Sequence, residues 1–329
     1  MDVIRGPQAL SGPLAASVLA IGNFDGVHRG HQAVLEAALG AAREAGSAAG
    51  VMVFEPHPRQ YFKPEEPLFR LTPLDLKLKL FELLGLDFAV VLDFDKSLAG
   101  REPEDFVKEI LVAGLGVRHV VTGYDFHFGK NRRGTPDFLR AMGREIGFGV
   151  TIVEEVGGGG DSFSSSQARA LLRAGEVRAA AEILGYWWRV LGRVEAGAAR
   201  GTGLGYPTAN LTPPANFDLA HGIYAVRTMV PQGRFGGAAY VGRQPTYDGK
   251  ETVIEAFLFD FEGDLYGREI EIEFIERLRG DERFATPQDL TAQMQRDCEA
   301  ARAVLAALEG ADPMDRFPLG RALGGRASA

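Results

Sequence analysis

The sequence is poor in the features that would tie it to an oxidising compartment, a membrane or a nucleic acid. It holds one cysteine, Cys298, so no internal disulfide can form and a reducing compartment fits best. No apolar run reaches the roughly 18 residues of a membrane-spanning helix. Ala9 to Ile21 is a faint copy of a signal peptide's apolar region, but Gly12 and Pro13 break it, and cleavage there would remove the first core strand. Positive charge is also short. Against 44 Asp and Glu stand 36 Lys and Arg, and the formal charge of −8 gives no field to hold a phosphate backbone. The expectation is a cytoplasmic protein that binds neither nucleic acid nor membrane; the oligomeric state stays open.

What is present is ordinary in bulk and unusual in one respect. A chain of 329 residues, 46% hydrophobic and 24% charged, is expected to form about two globular domains. Glycine is abundant, with 42 residues, and glycine lets a backbone come close to a ligand.

The first half alternates strand and helix. Short apolar runs at Val18–Ile21, Val51–Phe54, Phe88–Leu92, Val117–Thr122 and Val150–Val153 read as buried strands. Helical spacing separates them over Gln32–Ala45, over Pro103–Leu111, over Thr135–Ile146, and after Thr72-Pro73, where Thr72 is the expected N-cap. The glycine run 157–160 is expected to be a flexible loop. This order implies a parallel sheet with right-handed crossovers, which binds ligands at the carboxyl ends of its strands. Four of the six histidines, His28, His31, His57 and His127, fall on that one edge.

His28 and His31 share a face at a helix start, with Gly30 between them. Anionic oxygens are favoured there, and two imidazoles can donate to phosphates, which suits phosphoryl or nucleotidyl transfer. A zinc-ligand pair is the other reading, although zinc on a helix mostly takes His-x-x-x-His with a third ligand nearby.

Residues 22–31, Gly-Asn-Phe-Asp-Gly-Val-His-Arg-Gly-His, resemble the His-x-Gly-His signature of the nucleotidyltransferase superfamily. Together with Phe54-Glu55-Pro56-His57-Pro58, Asp125-Phe126-His127-Phe128-Gly129-Lys130 and Ser164-Ser165-Ser166-Gln167-Ala168-Arg169, they resemble the bacterial bifunctional riboflavin kinase/FAD synthetase family. The resemblance implies a Rossmann-like nucleotidyltransferase domain in which His28 and His31 hold ATP phosphates. Gly22, Asn23, Phe24 and Asp25 would shape the same pocket, and Asp125 would line it. His57 and Pro58 would lie near the flavin, and Ser165, Ser166 and Arg169 would form a second nucleotide motif. The family more often has Thr, Arg and Ile where Ser166, Gln167 and Ala168 stand. The basic run 130–133 reads either as a phosphate contact or as a solvated loop.

The second half changes period. After a helix over Val177–Leu184, short strands at Arg189–Val194, Ile223–Val230, Ala238–Val241, Val253–Phe261 and Glu269–Ile275 imply an antiparallel barrel. Alternation of Glu269, Glu271 and Glu273 with Ile270, Ile272 and Phe274 marks a half-buried strand. Pro287–Leu308 is a closing helix with Cys298 in its core stripe. Domains are expected at 1–185 and 186–309, with a mobile tail over 310–329. Residues 197–210 crowd glycines before Pro207, and Thr208 and Asn210 offer neutral oxygens suited to magnesium. On an extended strand Glu255 would share a face with Phe257, Phe259 and Phe261, which suits a general base or, equally, an edge-strand glutamate.

Gly205-Tyr206-Pro207-Thr208-Ala209-Asn210, Gly222-Ile223-Tyr224, residues 242–247, Glu255, residues 264–267, Leu278-Arg279, Phe284 and Asp297 are similar to the riboflavin kinase module. That similarity implies that Thr208 and Asn210 bind Mg²⁺-ATP, that Gly203 and Pro207 belong to the nucleotide loop, and that Glu255 deprotonates the ribityl hydroxyl. The family commonly has arginine where Thr202 stands. The expected activity is phosphorylation of riboflavin to FMN and adenylylation of FMN to FAD, with ATP as co-substrate and Mg²⁺ as cofactor. Two rivals are another adenylyltransferase with a binding barrel attached, and a non-catalytic flavin or nucleotide sensor.

Overall fold

The computed structural model describes residues 1–158, 161–195, 207–246 and 249–325. Gly203 and Thr202 lie outside the described residues. The chain divides into two compact units, Met1–Ser164 and Ser165–Ala329.

The first unit is built on strands β1 (Asp2–Arg5), β2 (Val18–Ile21), β3 (Ala49–Glu55), β4 (Phe88–Asp93), β5 (His119–Gly123) and β6 (Gly149–Val153). All neighbours run parallel, in the order β1-β4-β3-β2-β5-β6. Between them lie α1 (Arg29–Ala45), α2 (Pro58–Phe62), α3 (Leu74–Leu83), α4 (Lys96–Ala99), α5 (Pro103–Asp105) with a π-helix over Phe106–Gly114, and α6 (Pro136–Ile146). Leu19, Ile21, Met52, Phe88, Val90 and Val120 are buried in one of its cores, as strands covered on both faces require. β1 has no apolar pattern because it is a four-residue edge strand with Val3 exposed, so only its pairing with β4 reveals it.

Two local expectations give way. Pro73, not Thr72, caps α3, because the Thr72 hydroxyl is engaged elsewhere. The run expected as a flexible loop is a small hairpin of β7 (Gly157–Gly158) and β8 (Asp161–Ser162); residues 159–160 are outside the described set.

The second unit opens with α7 (Ser165–Ala174) and α8 (Val177–Leu184). Strands β9 (Arg189–Glu195), β10 (Ala209–Leu211), β11 (Gly222–Val230), β12 (Gly233–Thr246), β13 (Gly249–Leu258) and β14 (Glu269–Arg279) then close into a barrel, in the order β10-β13-β12-β11-β14-β9. Every ladder is antiparallel. Closure leaves no sheet edge to be covered. Helix α9 (Pro287–Ala306) packs on the outside, and Arg279 binds Asp297 in a two-pronged contact (2.9 and 2.8 Å) that ties the end of β14 to it. Burial pushes the Cys298 thiol up to about 11, so it is a packing residue and not a nucleophile.

The sequence places the boundary near Gly185, whereas packing divides the chain after Ser164. Helices α7 and α8 join the barrel through Ala220 N–H to Leu172 O (3.1 Å) and through the Arg173–Asp218 and Arg178–Glu276 pairs. The segment expected as a mobile tail is folded through Gly325. A 3-10 turn over Pro313–Arg316 and helix α10 (Pro318–Gly324) bury Met314, Leu319 and Leu323.

β14 is not half-buried as its alternation implied. Glu271 and Glu273 point out of the barrel but are only 6% and 5% exposed. Glu273 meets Arg189 (2.8 Å), Arg227 (3.0 Å) and Arg234 (2.5 Å), and Arg189 also pairs with Glu271. Arg227 extends the network to Asp312 in the tail (2.8 Å), which also accepts the Trp187 indole N–H (2.9 Å). Burial alone would raise the Glu273 carboxyl, but the three guanidinium groups overcome it and hold its pKa at about 2. A folded value below the usual 4.5 means that this stabilisation is complete above that pH and is lost as pH falls towards 2. Glu273→Ala leaves the guanidinium groups buried without their shared partner and should cost about 3–5 kcal/mol, read as a lower urea midpoint at neutral pH.

Candidate active sites

In the first unit the strand order reverses between β2 and β5. β3 and β4 follow β2 on one side, and β6 follows β5 on the other. The loops leaving β2 and β5 therefore diverge at the carboxyl edge and open a crevice, the usual ligand position of such a sheet. The β2 loop is the His-x-Gly-His segment.

This loop is forced into an unusual backbone shape. Phe24 and Val27 both have positive φ (48° and 39°) although neither is glycine, and both are buried. Each such residue costs on the order of 1–3 kcal/mol and persists only where its surroundings hold it. Asp25, 2% exposed, supplies one hold. Its carboxylate accepts the backbone N–H groups of Leu71 (3.2 Å) and Thr72 (3.0 Å), and the Thr72 hydroxyl (3.3 Å). The same hydroxyl accepts the Gly26 N–H at 2.7 Å, which is why Thr72 does not cap α3. Gly22 is half-buried and Asn23 is exposed at the loop's crest.

The turn delivers His28 as the N-cap of α1, with Nδ1 accepting the His31 N–H (3.3 Å). A neutral imidazole that accepts at Nδ1 carries its proton on Nε2, where it can donate. The rings of His28 and His31 stack at 3.6 Å with a 23° interplanar angle, and the Phe24 ring meets His31 edge-on at 5.2 Å. A Cβ on Gly30 would lie 3.2 Å from the His28 ring, so a larger residue there displaces the imidazole. Among the described residues no group of three His, Cys, Asp or Glu side chains could hold a metal ion, so the zinc reading lacks its further ligands.

The other loops on this edge hold His57, Pro58 and Asp125. Asp125 is exposed, and its carbonyl takes the Nδ1 proton of His127 (2.8 Å). His57 caps α2 with Nδ1 accepting the Arg59 N–H (3.1 Å), and Pro58 is the first residue of that helix. In the basic run, Lys130 and Arg133 both pair with Glu102 (3.0 and 3.2 Å). In the second unit Ser165 opens α7, Ser166 is exposed and Arg169 is buried at 7%, which a merely solvated helix charge would not be.

On the barrel, β10 puts Asn210 directly opposite Glu255 on β13, and β12 puts Tyr240 opposite Glu255 on its other side. Directly opposed residues share a face, so Asn210, Glu255 and Tyr240 form one row on the outside of the barrel. Asn210 gives its amide NH₂ to the Thr208 carbonyl (3.1 Å), leaving Oδ1 as an acceptor. Pro207, Thr208, Phe261, Asp264 and Tyr266 line a cleft. β13 ends at Leu258 and Asp260 turns at positive φ, so Phe257 shares the Glu255 face while Phe259 and Phe261 lie beyond the strand. Burial raises the Tyr240 phenol, and so do Asp281, its hydrogen-bond partner, and Glu255.

A model of the FAD synthetase family matches residues 12–167, and a model of the riboflavin kinase family matches residues 184–305. The bifunctional riboflavin kinase/FMN adenylyltransferase of Escherichia coli (strain K12) is 36% identical over 92% of this chain and 97% of its own length. The same enzyme of Pseudomonas fluorescens is 39% identical over 93% of this chain and 98% of its own. The chain belongs to the bifunctional riboflavin kinase/FMN adenylyltransferase family. It therefore carries both activities, phosphorylation of riboflavin and adenylylation of FMN, with ATP as the co-substrate of each. The barrel is thus a kinase module and not a binding appendage. A crystal structure described as a macrolide-efflux protein from Streptococcus pneumoniae superposes with a TM-score of 0.83 at 28% identity, covering 92% of this chain and 99% of that one. Among the described residues, no helix is long and apolar enough to cross a membrane.

Sequence reasoning missed several residues that the folded family member brings to these edges. The sequence shows Thr72 only as a helix cap and Tyr240 only as part of a strand. Phe62 is 62% exposed beside His57 and packs edge-on with Tyr61 (5.2 Å) and Phe94 (5.6 Å). The adjacent aromatic pair Tyr61-Phe62 shortly after His57 is the one sequence signal that could have flagged it. Asp25→Ala removes the acceptor of two buried N–H groups. It should destabilise the first unit by about 2–4 kcal/mol in thermal unfolding while the kinase reaction persists.

Proposed function

We propose that the sheet unit's carboxyl edge is the adenylyl-transfer site and the outward face of β10, β13 and β12 the phosphoryl-transfer site. By function we assign residues 1–185 to FMN adenylylation and 186–309 to riboflavin phosphorylation, although α7 and α8 pack with the barrel.

In the kinase reaction Glu255 is the general base. It accepts the proton of the riboflavin ribityl hydroxyl as that oxygen bonds to the γ-phosphorus of ATP, and the bond to the departing ADP breaks. The observation that carries this reading is the register of Asn210 against Glu255. Thr208 and Asn210 offer two neutral oxygens next to a carboxylate, a donor set that fits a magnesium ion sharing its remaining positions with phosphates. Bound there, Mg²⁺ would neutralise charge on the nucleotide's phosphates. Pro207 stiffens the approach to this turn, and the resemblance assigns Gly203 to the same nucleotide loop.

In the adenylyl transfer an oxygen of the FMN phosphate attacks the α-phosphorus of ATP and pyrophosphate leaves. The stacked imidazoles of His28 and His31, at the N-terminus of a 17-residue helix, carry this reading. They donate to phosphate oxygens where negative charge builds, and the helix dipole adds to their effect. Gly22, Asn23 and Phe24 form the wall of the pocket, Asp25 fixes it from beneath, and Asp125 lines it from the β5 loop. The resemblance assigns Ser165, Ser166 and Arg169 to a second nucleotide motif. His57, Pro58 and the exposed ring of Phe62 form the flavin side, where a flat aromatic ligand can stack.

The roles separate in the full-length protein. His28→Ala with His31→Ala should lower FAD formation from FMN and ATP by about 10²- to 10³-fold or more while FMN still accumulates from riboflavin. Glu255→Gln should lower FMN formation by about 10²- to 10⁴-fold and leave FAD formation from supplied FMN intact. Chromatography of the flavins reads both, and loss of both steps in either folded variant would overturn the division. Omission of Mg²⁺ should abolish FMN formation, and its return should restore it.

A further inference from the structure

We propose that Lys77 is a positioning residue for FAD formation: its buried ammonium holds the Gly22–His28 loop in the shape that presents His28 and His31. This rests on the imidazole pair acting as set out above, and goes beyond it by naming what keeps the pair in place.

Lys77 lies on the inward face of α3, 1% exposed, among Leu76, Leu80 and Phe81. An amphipathic helix would place an apolar residue there. Instead the Nζ donates to the Asn23 carbonyl at 2.7 Å. Asn23 is the residue just before Phe24, the first of the two strained positions. From the same helix, the Phe81 ring meets Phe24 edge-on (5.7 Å), and Phe24 in turn meets His31. A short chain of contacts thus runs from α3 through Asn23 and Phe24 to the imidazoles. Asp25 and Thr72 hold the far half of the loop, and Lys77 holds the near half, with a charge-assisted bond of the stronger kind.

The groups facing the ammonium are Asp25 from the loop, Glu55 from the end of β3, and Arg70. Glu55 is already bound bidentately by Arg70 (2.5 and 3.0 Å), and Asp25 is the acid that most favours the ammonium. Desolvation outweighs the help of Asp25 and Glu55, Arg70 adds to it, and the Lys77 pKa falls to about 8. The fold therefore keeps a buried cation against the cation's own preference. A rule of packing broken beside reacting groups is the pattern expected of a functional constraint.

The sign of this shift supplies a diagnostic. A lysine whose folded pKa lies below its ordinary 10.5 makes the fold gain stability as pH rises from about 8 to 10.5. Over the start of that window the ammonium loses its proton and its grip on the Asn23 carbonyl weakens. Activity should thus fall while the contribution of Lys77 to stability rises, the reverse of activity lost through unfolding.

The test uses full-length chains: unaltered, Lys77→Met, and His28→Ala with His31→Ala. FAD formation from FMN and ATP and FMN formation from riboflavin and ATP are measured in the same preparations. Lys77→Met should lower kcat for FAD formation by roughly 10- to 100-fold, since a displacement near 1 Å has that effect. KM for ATP should move far less, and the kinase reaction should stay within twofold. In the unaltered protein, kcat for FAD formation should decline as pH passes about 8 with no matching decline in the kinase reaction, and Lys77→Met should lack that limb. If Lys77→Met keeps kcat within twofold while the imidazole variant is inactive, the role of Lys77 is refuted and the site stands. If the imidazole variant stays active, the site itself is refuted. Should Lys77→Met fail to fold, the unaltered protein decides. A flat profile for FAD formation from pH 7 to beyond pH 9 overturns the inference, and a falling rate with an undiminished melting temperature supports it.

Discussion

A turn in which Phe24 and Val27 sit at positive φ is the constraint on which the shape of the His-x-Gly-His loop depends. Such a turn does not stay folded by its own preferences. It is held by polar groups reaching into it from the segment that includes Thr72 and from α3, and the holding groups are themselves buried. Asp25 accepts backbone N–H groups that would otherwise be unsatisfied, so its carboxylate is committed to architecture. That commitment leaves the imidazoles at the mouth of α1 as the groups proposed to meet the nucleotide. The strain and the helix dipole thus meet at one place, and the sheet's reversal of strand order puts that place at the crevice.

The barrel solves the same problem by different means. Its closed ladders fix register, and register alone sets Asn210 and Tyr240 on either side of Glu255. β-Strand pairing already determines which side chains share a face. The opposite side of the barrel shows what that rigidity rests on. There Glu273 gathers three guanidinium groups, and the C-terminal segment joins them through Asp312. The C-terminal segment thus becomes part of a buried ion network, because three arginines require carboxylates nearby.

The two units therefore place phosphate chemistry on unlike frameworks with a shared logic. In each, the polar groups proposed to meet the nucleotide are kept in place by backbone geometry fixed elsewhere. Carrying both in one chain makes each reaction a control for the other, since damage to one framework leaves the second reaction to report on the integrity of the protein.

By itself the sequence determined the strand–helix alternation, the barrel, and the clusters 22–31, 54–58, 125–130, 164–169 and 205–210, because local periodicity and turn chemistry are written in consecutive residues. It also marked Arg279, Phe284 and Asp297, which the fold brings together as a guanidinium bound to a carboxylate and lying over a ring. Only the tertiary structure decided that Thr72 serves the loop and not the helix, that Glu271 and Glu273 are buried, that β1 joins the sheet, and that Lys77 reaches the Asn23 carbonyl. Each of these depends on partners between 39 and 86 residues away. A hydrogen bond across such a separation leaves no period in the chain. The identity of a lysine or a glutamate states only its charge, and whether that charge meets water or a partner is settled when distant segments pack.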